Sequence, residues 1–450
     1  MSGPHRESPQ VARVLAGALV GFYVLLPLDI GFPKIPLFGR PLNPAIAASL
    51  AVLLVLLVRS QGAILTYLRE PYCLIQSAYV GVLVVSALMS ASRLSALHGA
   101  VLYACTFIVN YIILRHVTSQ DGVRTFSAIV VILGVAAAAV AVVQGVVGIQ
   151  LSMYSTWYAE YFRRAPDNYA LATARAFGTM NNPIVYATLM ALFIPFALDL
   201  RRVTGRALVL FIMLFAAGLS GSRTVVLVIG AFAAGALIVY RWRAVRAFPA
   251  VCGGLVLLFL ALDASTPGQG SRLSFLVERS GLTAAARRAA AVKPVPDSQV
   301  AGREATSAAP LPSEAEVDAA LGFTLRRDAA REAIREMTHE WNATAWILGR
   351  GPFTAGSVGQ RLQSWFNTVD NVFVGVAYER GLLGLVLFVG AFASFLFRTR
   401  RVATSTVHWY SPLALAVVGL SFCWDSYSTF NIIVVGSMAI AMWYEDQAPR

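Results

Sequence analysis

Charged residues are scarce in this 450-residue sequence: they make up 13%, against 57% hydrophobic residues. A soluble globular domain of ordinary composition has about 25% charged residues, so the composition excludes that class. The mean hydropathy of +0.66 and the repeated apolar runs instead predict an all-α polytopic membrane protein. The formal net charge of +13 comes from arginines clustered between apolar runs, a pattern that indicates membrane topology rather than nucleic-acid binding.

Motifs for metal and nucleotide binding are also missing. The four cysteines stand inside apolar runs without CxxC or CxxH spacing, which is typical of small core residues: Cys73, Cys105, Cys252 and Cys423. There is no DxD motif and no His/Cys cluster. The glycines on either side of Arg350 predict a tight turn without the length or the lysine of a P-loop. We therefore expect no metal site, no cofactor and no disulfide.

About twelve segments are long and apolar enough to cross roughly 30 Å of hydrocarbon, some only with help from their flanks. The predicted spans are 14–30, 44–58, 72–91, 96–114, 127–149, 183–198, 207–219, 225–240, 250–262, 372–397, 412–424 and 430–443. The first lacks the small-residue cleavage site of a signal peptide, so we expect it to be retained.

The arginines of the short loops predict the orientation. If the amino terminus is cytoplasmic, every even-numbered loop is basic, as the positive-inside rule requires, and both termini are cytoplasmic. The arginines of these loops are Arg59, Arg69, Arg115, Arg124, Arg201, Arg202, Arg206, Arg241, Arg243, Arg246, Arg398, Arg400 and Arg401.

One extracytoplasmic loop, 263–370, is large, and it divides the chain into helices one to nine (1–262) and ten to twelve (371–450). Its part near 287–312 is rich in Ala, Pro, Ser and Arg, so we expect a disordered linker there. Ser313 and Glu316 then form a capping-box pattern, which predicts an amphipathic helix near 313–346.

Three arginines are candidate anion ligands on the outer side. Arg223 follows Ser220-Gly221-Ser222 between two apolar runs. Its side chain either snorkels to the membrane surface or binds an anion, and a planar guanidinium suits a diphosphate because it makes paired bonds to phosphate oxygens. Arg175 and Arg350 are predicted on the same side and would complete the cluster.

Asp370, Asn371 and Glu379 lie where the large loop enters a membrane span. Charged and polar groups at that depth are costly and are tolerated when they face a cavity, a partner or a substrate. Asp370 has two interpretations: it caps the following helix, or it acts as a general base. The residues alone leave both open.

These residues belong to short motifs in a fixed order. They are Arg175 with Phe177-Gly178-Thr179 and Asn182-Pro183, then Ser220 to Arg223, then Gly349 to Phe353, then Asn371 with Glu379, Gly381 and Gly384. In this order the chain resembles the O-antigen ligase and polymerase superfamily. The resemblance implies a GT-C-like helical fold and transfer of a glycan from an undecaprenyl-diphosphate carrier at the outer face of the bacterial inner membrane.

One position departs from the ligases, which usually carry a histidine where this chain has Asp370. The departure favours a polymerase of O-antigen, capsule or exopolysaccharide over an O-antigen ligase acting on the lipid A core. The resemblance implies the reaction, and the chemistry of the residues suggests their roles. We expect Asp370 to take the acceptor proton, with Asn371 and Glu379 orienting it or the sugar. We expect the three arginines to hold the diphosphate.

The partners implied are the undecaprenyl-diphosphate-linked glycan, a glycan or lipid acceptor, membrane lipids and polysaccharide export or chain-length proteins. The alternatives are a transporter or flippase of a lipid-linked glycan, in which the arginines bind without catalysis, and a structural member of an export complex.

Overall fold

The computed structural model describes residues 9–25, 35–37, 40–42, 44–90, 93–121, 123–147, 176–180, 183–198, 200, 202–220, 328–351, 354, 355, 358, 372–403 and 431–447. These residues are helical apart from the connecting turns and one short antiparallel hairpin, β1 (Ile35–Leu37) and β2 (Arg40–Leu42), in which Pro36 pairs with Pro41.

The helices follow in chain order. They are α1 (Pro9–Leu25), α2 (Pro44–Leu68), α3 (Pro71–Met89), α4 (Arg93–Tyr103), α5 (Asn110–Asp121), α6 (Val123–Val142), α7 (Pro183–Leu198), α8 (Val203–Leu219), α9 (through 328–340), α10 (Ala343–Leu348), α11 (Val372–Ala403) and α12 (Asn431–Gln447). A π-helical segment, Ala104–Val109, joins α4 to α5, and a second, Val143–Val147, extends α6.

Five helices in the described part are long and apolar enough to cross a membrane. They are Ala45–Leu68, Pro71–Met89, Ala96–Ser119, Thr125–Gly145 and Phe373–Thr399. Large apolar side chains on α2, α3 and α11 are exposed, as a lipid-facing surface requires. The protein is therefore a helical multi-span membrane protein. The predicted spans 225–240, 250–262 and 412–424 lie outside the described residues, so the total of about twelve and the GT-C-like arrangement stay predictions.

In the described part of the bundle, the interior is formed by α5, α7 and α12. Residues Asn110 to Thr118 of α5 are all buried. Residues Asn431 to Met442 of α12 are all buried, and α7 is apolar on every side, which is typical of a helix surrounded by other helices. Helix α12 packs against α5, α7 against α6 and α8, and α11 along α3.

Proline sets the start of several helices. Pro9, Pro44, Pro71 and Pro183 each stand at the first helical position, where the missing N–H costs no hydrogen bond and the fixed φ suits the helix. Helix α7 has the bounds predicted for its span, whereas α1 begins and ends earlier than the predicted 14–30. Helix α2 continues beyond the predicted 44–58, across a kink at Ser60 (φ −139, ψ 37).

An ion-pair network ties several helix ends together. Arg115 Nε lies 3.4 Å from Glu70 Oε1, and the same guanidinium pairs with Asp446. Asp446 Oδ1 also lies 3.3 Å from the guanidinium of Arg398, and the Tyr111 hydroxyl donates to Glu70. The network places the predicted basic turns at Arg115 and Arg398 at one end of the bundle.

The opposite end of the bundle is marked by the end of α3. Helix α3 starts next to Glu70 and runs 19 residues, about 28 Å at 1.5 Å per residue. Ser90, which follows it, therefore lies a membrane thickness away from the network. Which end faces the cytoplasm stays a prediction.

The amphipathic helix predicted near 313–346 is described from residue 328 onward. There it is interrupted: α9 ends at Glu340, and α10 starts after Asn342. The Asn342 side chain caps α10 by accepting a hydrogen bond of 2.9 Å from the Ala345 N–H, the role for which asparagine is favoured. The predicted linker at 287–312 and the capping box lie outside the described residues.

Candidate functional site

The loop motif around Arg350 docks onto a break in α11. The break is at Gly381 (φ 67, ψ −175), and a break in a helix frees the carbonyl groups that precede it. Here the Arg350 N–H donates to the Tyr378 carbonyl at 3.1 Å, and the Gly351 N–H donates to the Glu379 carbonyl at 2.9 Å. The turn thus supplies the donors that the interrupted helix lacks.

Three glycines permit this contact. Gly349, Gly351 and Gly381 all have positive φ (73, 102 and 67). A Cβ at position 349 would lie 2.2 Å from the Arg380 backbone nitrogen, and a Cβ at position 381 would lie 2.2 Å from the Ile347 carbonyl oxygen. The atoms that an added Cβ would meet at either position are backbone atoms, so the clash could not be relieved by rotating a side chain. The glycines of the two motifs are therefore the two halves of one contact.

Glu379 is held beside this contact. Its side chain is 13% exposed, and its Oε2 lies 3.4 Å from the guanidinium of Arg380. Its Oε1 accepts a hydrogen bond of 3.4 Å from the Ala355 N–H, in the chain just after the loop motif. The Ser86 hydroxyl, near the end of α3, donates to the Glu379 carbonyl at 3.2 Å. Glu379 thus connects the loop, α11 and α3.

Arg380 is a site residue that the sequence analysis missed. It is 2% exposed, and its guanidinium carbon lies 5.4 Å from the Tyr79 ring centre and 5.9 Å from that of Tyr103. The electron-rich ring faces and the Glu379 carboxylate compensate a buried positive charge. The sequence did contain a signal for this residue, because Arg380 stands next to the motif residue Glu379 within an apolar run.

The Arg350 side chain turns toward α9. Its NH1 lies 2.8 Å from Glu336 Oε1 and its NH2 3.8 Å from Glu340 Oε2, and the guanidinium carbon lies 6.0 Å from the Trp341 ring centre. It is 38% exposed, whereas Glu336 is 4% exposed. The charge predicted to bind a diphosphate is therefore compensated by carboxylates of the protein.

The turn that follows Arg175 is fixed by Gln144, which the sequence analysis also missed. Buried Gln144 accepts hydrogen bonds from the N–H groups of Phe177 (3.1 Å) and Gly178 (2.8 Å) and donates to the Gly178 carbonyl (3.0 Å). Gly178 has φ 56, and a Cβ there would lie 2.2 Å from the Tyr186 ring. No sequence pattern predicts this partner, which stands 33 residues before Phe177 in the π-helical segment after α6.

The same turn lies against the end of α8. The Ala176 N–H donates to the Leu219 carbonyl at 2.9 Å. Ala176 follows Arg175 in the chain, and Leu219 precedes the Ser220 to Arg223 motif. The residue after Arg175 is thus hydrogen-bonded to a residue that lies four positions before Arg223.

Of the six predicted site residues, two are described. Arg350 and Glu379 meet through the backbone contact, but their side chains turn to different partners. Arg175, Arg223, Asp370 and Asn371 lie outside the described residues. Asn371 directly precedes Val372, the first residue of α11.

Comparison with known proteins gives a family match over part of the chain. A family model described as O-antigen ligase matches residues 208–389, and no curated protein matches the chain. The matched segment contains the motif that ends at Arg223, the docked turn around Arg350, and the sequence from Asp370 through the break at Gly381. With the helical membrane architecture, this match confirms, for residues 208–389, the predicted resemblance to the O-antigen ligase and polymerase superfamily.

Proposed function

We propose that this protein is a glycosyltransferase that polymerises a glycan carried on undecaprenyl diphosphate, at the outer face of the bacterial inner membrane. Its family supports a membrane enzyme that acts on lipid-linked glycans. The observation that carries the proposal is the docking of Gly349–Gly351 onto the α11 break. This contact joins the motif that begins at Gly349 to the motif that begins at Asn371. The joined part of the second motif is at Glu379, eight residues after Asn371.

The proposed reaction is a displacement at the anomeric carbon. The acceptor hydroxyl forms the new glycosidic bond, the bond from the anomeric carbon to the diphosphate oxygen breaks, and undecaprenyl diphosphate leaves. Asp370 takes the proton of the acceptor hydroxyl as general base. Asn371 and Glu379 orient Asp370 or the sugar, and the bonds that hold Glu379 in place support that role.

Arg175 and Arg223 bind the leaving diphosphate in this proposal. Fixed positive groups that meet a developing negative charge in a partly dry site lower the barrier strongly. The bond between Ala176 and Leu219 supports a shared location for the two arginines. Arg350 contributes less to the diphosphate, because Glu336 and Glu340 already compensate its charge.

Charged residues well inside the membrane spans would favour the transporter alternative. Among the described residues, two buried arginines fit that description, Arg115 and Arg380. Both lie near a helix end or a helix break and pair with a carboxylate, so they do not line up as a path across the bundle. This arrangement favours the enzyme.

Product analysis distinguishes polymerase from ligase. The full-length protein in lipid nanodiscs is incubated with the lipid-linked repeat unit of its source strain, with and without lipid A core. A polymerase gives a ladder of longer lipid-linked glycans without lipid A core. Product that appears only when lipid A core is added would contradict polymerisation and identify a ligase.

A further inference from the structure

A cleft opens between the end of α3 and the segment that carries α10 and the docked turn. Its volume is about 380 Å³, within the roughly 300–1,000 Å³ typical of ligand pockets. Its lining includes Ser86, Met89 and Ser90 from the α3 side, and Asn342, Thr344 and Arg350 from the opposite side. It lies at the end of the bundle that holds the candidate site.

The two walls of the cleft are fixed to each other. Ser86 is bonded to the Glu379 carbonyl, and Arg350 is bonded through its N–H to the Tyr378 carbonyl. Gly351 approaches Ser90 so closely that a Cβ at 351 would lie 2.8 Å from the Ser90 Cβ. The cleft is thus largely pre-formed, which lowers the entropy cost of binding.

The polar lining suits a ligand that both donates and accepts hydrogen bonds. Three hydroxyl side chains line the cleft, Ser86, Ser90 and Thr344. A hydroxyl has one donor and two acceptor lone pairs, and Ser86, whose proton goes to the Glu379 carbonyl, keeps acceptor capacity. The Asn342 carbonyl oxygen is used by the α10 cap, so its amide nitrogen is the donor that the cap does not use. Met89 adds an apolar surface, and sugars combine these needs, since their hydroxyls donate and accept while their ring C–H groups are apolar.

The charges around the cleft disfavour a phosphate. Arg350 supplies one positive charge, and Glu336 and Glu340 lie 2.8 and 3.8 Å from its guanidinium nitrogens. Two carboxylates outweigh one guanidinium, so these three side chains favour an uncharged group over a diphosphate. An uncharged polyhydroxyl group meets no such penalty.

We propose that this cleft is a carbohydrate subsite that binds a sugar residue of the lipid-linked glycan, separately from the diphosphate. The proposal rests on the proposed function in one respect: that the substrate is a glycan. Two lining residues touch Glu379: Ser86 donates to its carbonyl, and Gly349 packs against its backbone. A sugar held in the cleft is therefore next to the motif residues of the transfer reaction.

The test uses the purified full-length protein and two probes. The first is the oligosaccharide released by mild acid from the lipid-linked glycan of the source strain, which has no diphosphate. The second is farnesyl diphosphate, which has no sugar. Binding of each is measured by titration calorimetry and by saturation-transfer NMR.

The main variant is Thr344→Trp, which fills the cleft from an exposed position, and its control is Ala343→Trp. Ala343 is the exposed neighbour on the same short helix and is not part of the lining. We expect Thr344→Trp to abolish oligosaccharide binding and to keep farnesyl diphosphate binding, and Ala343→Trp to keep both. Asn342→Asp caps α10 equally well but removes the amide donor, so oligosaccharide binding should weaken roughly 3- to 10-fold.

Oligosaccharide binding that is equal in Thr344→Trp and Ala343→Trp, or absent from the parent protein, would overturn the subsite. The proposed function fails separately. A parent protein that binds the oligosaccharide but transfers no glycan contradicts the glycosyltransferase and leaves the subsite standing. Full transfer by Thr344→Trp contradicts the subsite and leaves the glycosyltransferase standing.

Discussion

Replacing Gly349 with alanine tests whether docking of the loop turn onto α11 is required for activity. Gly349 has φ 73 and ψ −172, a region essentially reserved for glycine, where another residue costs of order 1–3 kcal/mol. The added Cβ would also lie 2.2 to 2.4 Å from three backbone atoms of Glu379 and Arg380. The backbone cannot rotate away as a side chain can, so the turn must move.

The expected weakening of docking can be worked out from the hydrogen bonds that break and the conformational cost. Moving the turn breaks the two backbone hydrogen bonds to Tyr378 and Glu379, which contribute about 0.5–1.5 kcal/mol each. With the conformational cost, docking weakens by roughly 2–6 kcal/mol, which is at least about a 30-fold change in the docked fraction. We expect Gly349→Ala to lose glycan transfer and to gain protease cleavage between residues 341 and 358, while the protein still inserts.

The matched control is Gly375→Ala on α11. Gly375 lies about one turn before Glu379, and a Cβ added there would meet no atom of another described segment within 4 Å. Alanine should therefore be neutral or stabilise the helix by up to about 1 kcal/mol. Transfer by purified protein and limited proteolysis are measured for both variants. Normal transfer and an unchanged cleavage pattern in Gly349→Ala would refute the requirement for docking.

Four further predictions concern the remaining site residues and the topology. Gln144→Leu should lower the turnover number more than it changes KM, because it removes three hydrogen bonds to buried backbone groups of Phe177 and Gly178, at about 1–3 kcal/mol each. Gln144→Glu should recover part of the activity, since a carboxylate still accepts from both N–H groups, and equal loss in both variants would contradict this role. Arg223→Ala should abolish transfer with normal insertion, and Arg223→Lys should recover little because lysine lacks the planar fork; a fully active lysine variant would indicate snorkelling instead. Asp370→Asn should lower transfer roughly 10²–10⁴-fold, and full activity of this variant would leave only the helix-capping role. Asp370→His should retain part of the parent activity, and that activity should fall as the pH drops below about 6.5 because the imidazole becomes protonated. In a cysteine-free background, Ala343→Cys should react with an impermeant thiol reagent added outside and Gln447→Cys should not; the reverse pattern would invert the topology.

In the described part of the chain the membrane spans were largely predictable, because the cost of burying polar groups in lipid imposes long apolar runs. Helix α7 has its predicted bounds, since Pro183 fixes its start and the apolar run fixes its length. The kinks at Ser60 and Gly381 were not predicted. Nothing in an apolar run indicates where a helix breaks, since tertiary contacts such as the docked turn stabilise the break.

The site was predictable in its motifs and not in its contacts. Glu379 and the glycines around Arg350 stand in the sequence as a pattern, but their meeting joins residues about 30 positions apart. Gln144 has no local signal, because its partners lie in another segment. The pairing of Arg350 with Glu336 likewise depends on how α9 packs against the turn.

The most direct test of the central claim is the release of undecaprenyl diphosphate. Purified protein in closed proteoliposomes is given lipid-linked glycan with a radiolabelled lipid, and free undecaprenyl diphosphate is counted against new glycosidic bonds. The glycosyltransferase account predicts one undecaprenyl diphosphate released for each bond formed, and no release by Arg223→Ala. Movement of intact lipid-linked glycan across the bilayer without any release would contradict the account and identify a transporter.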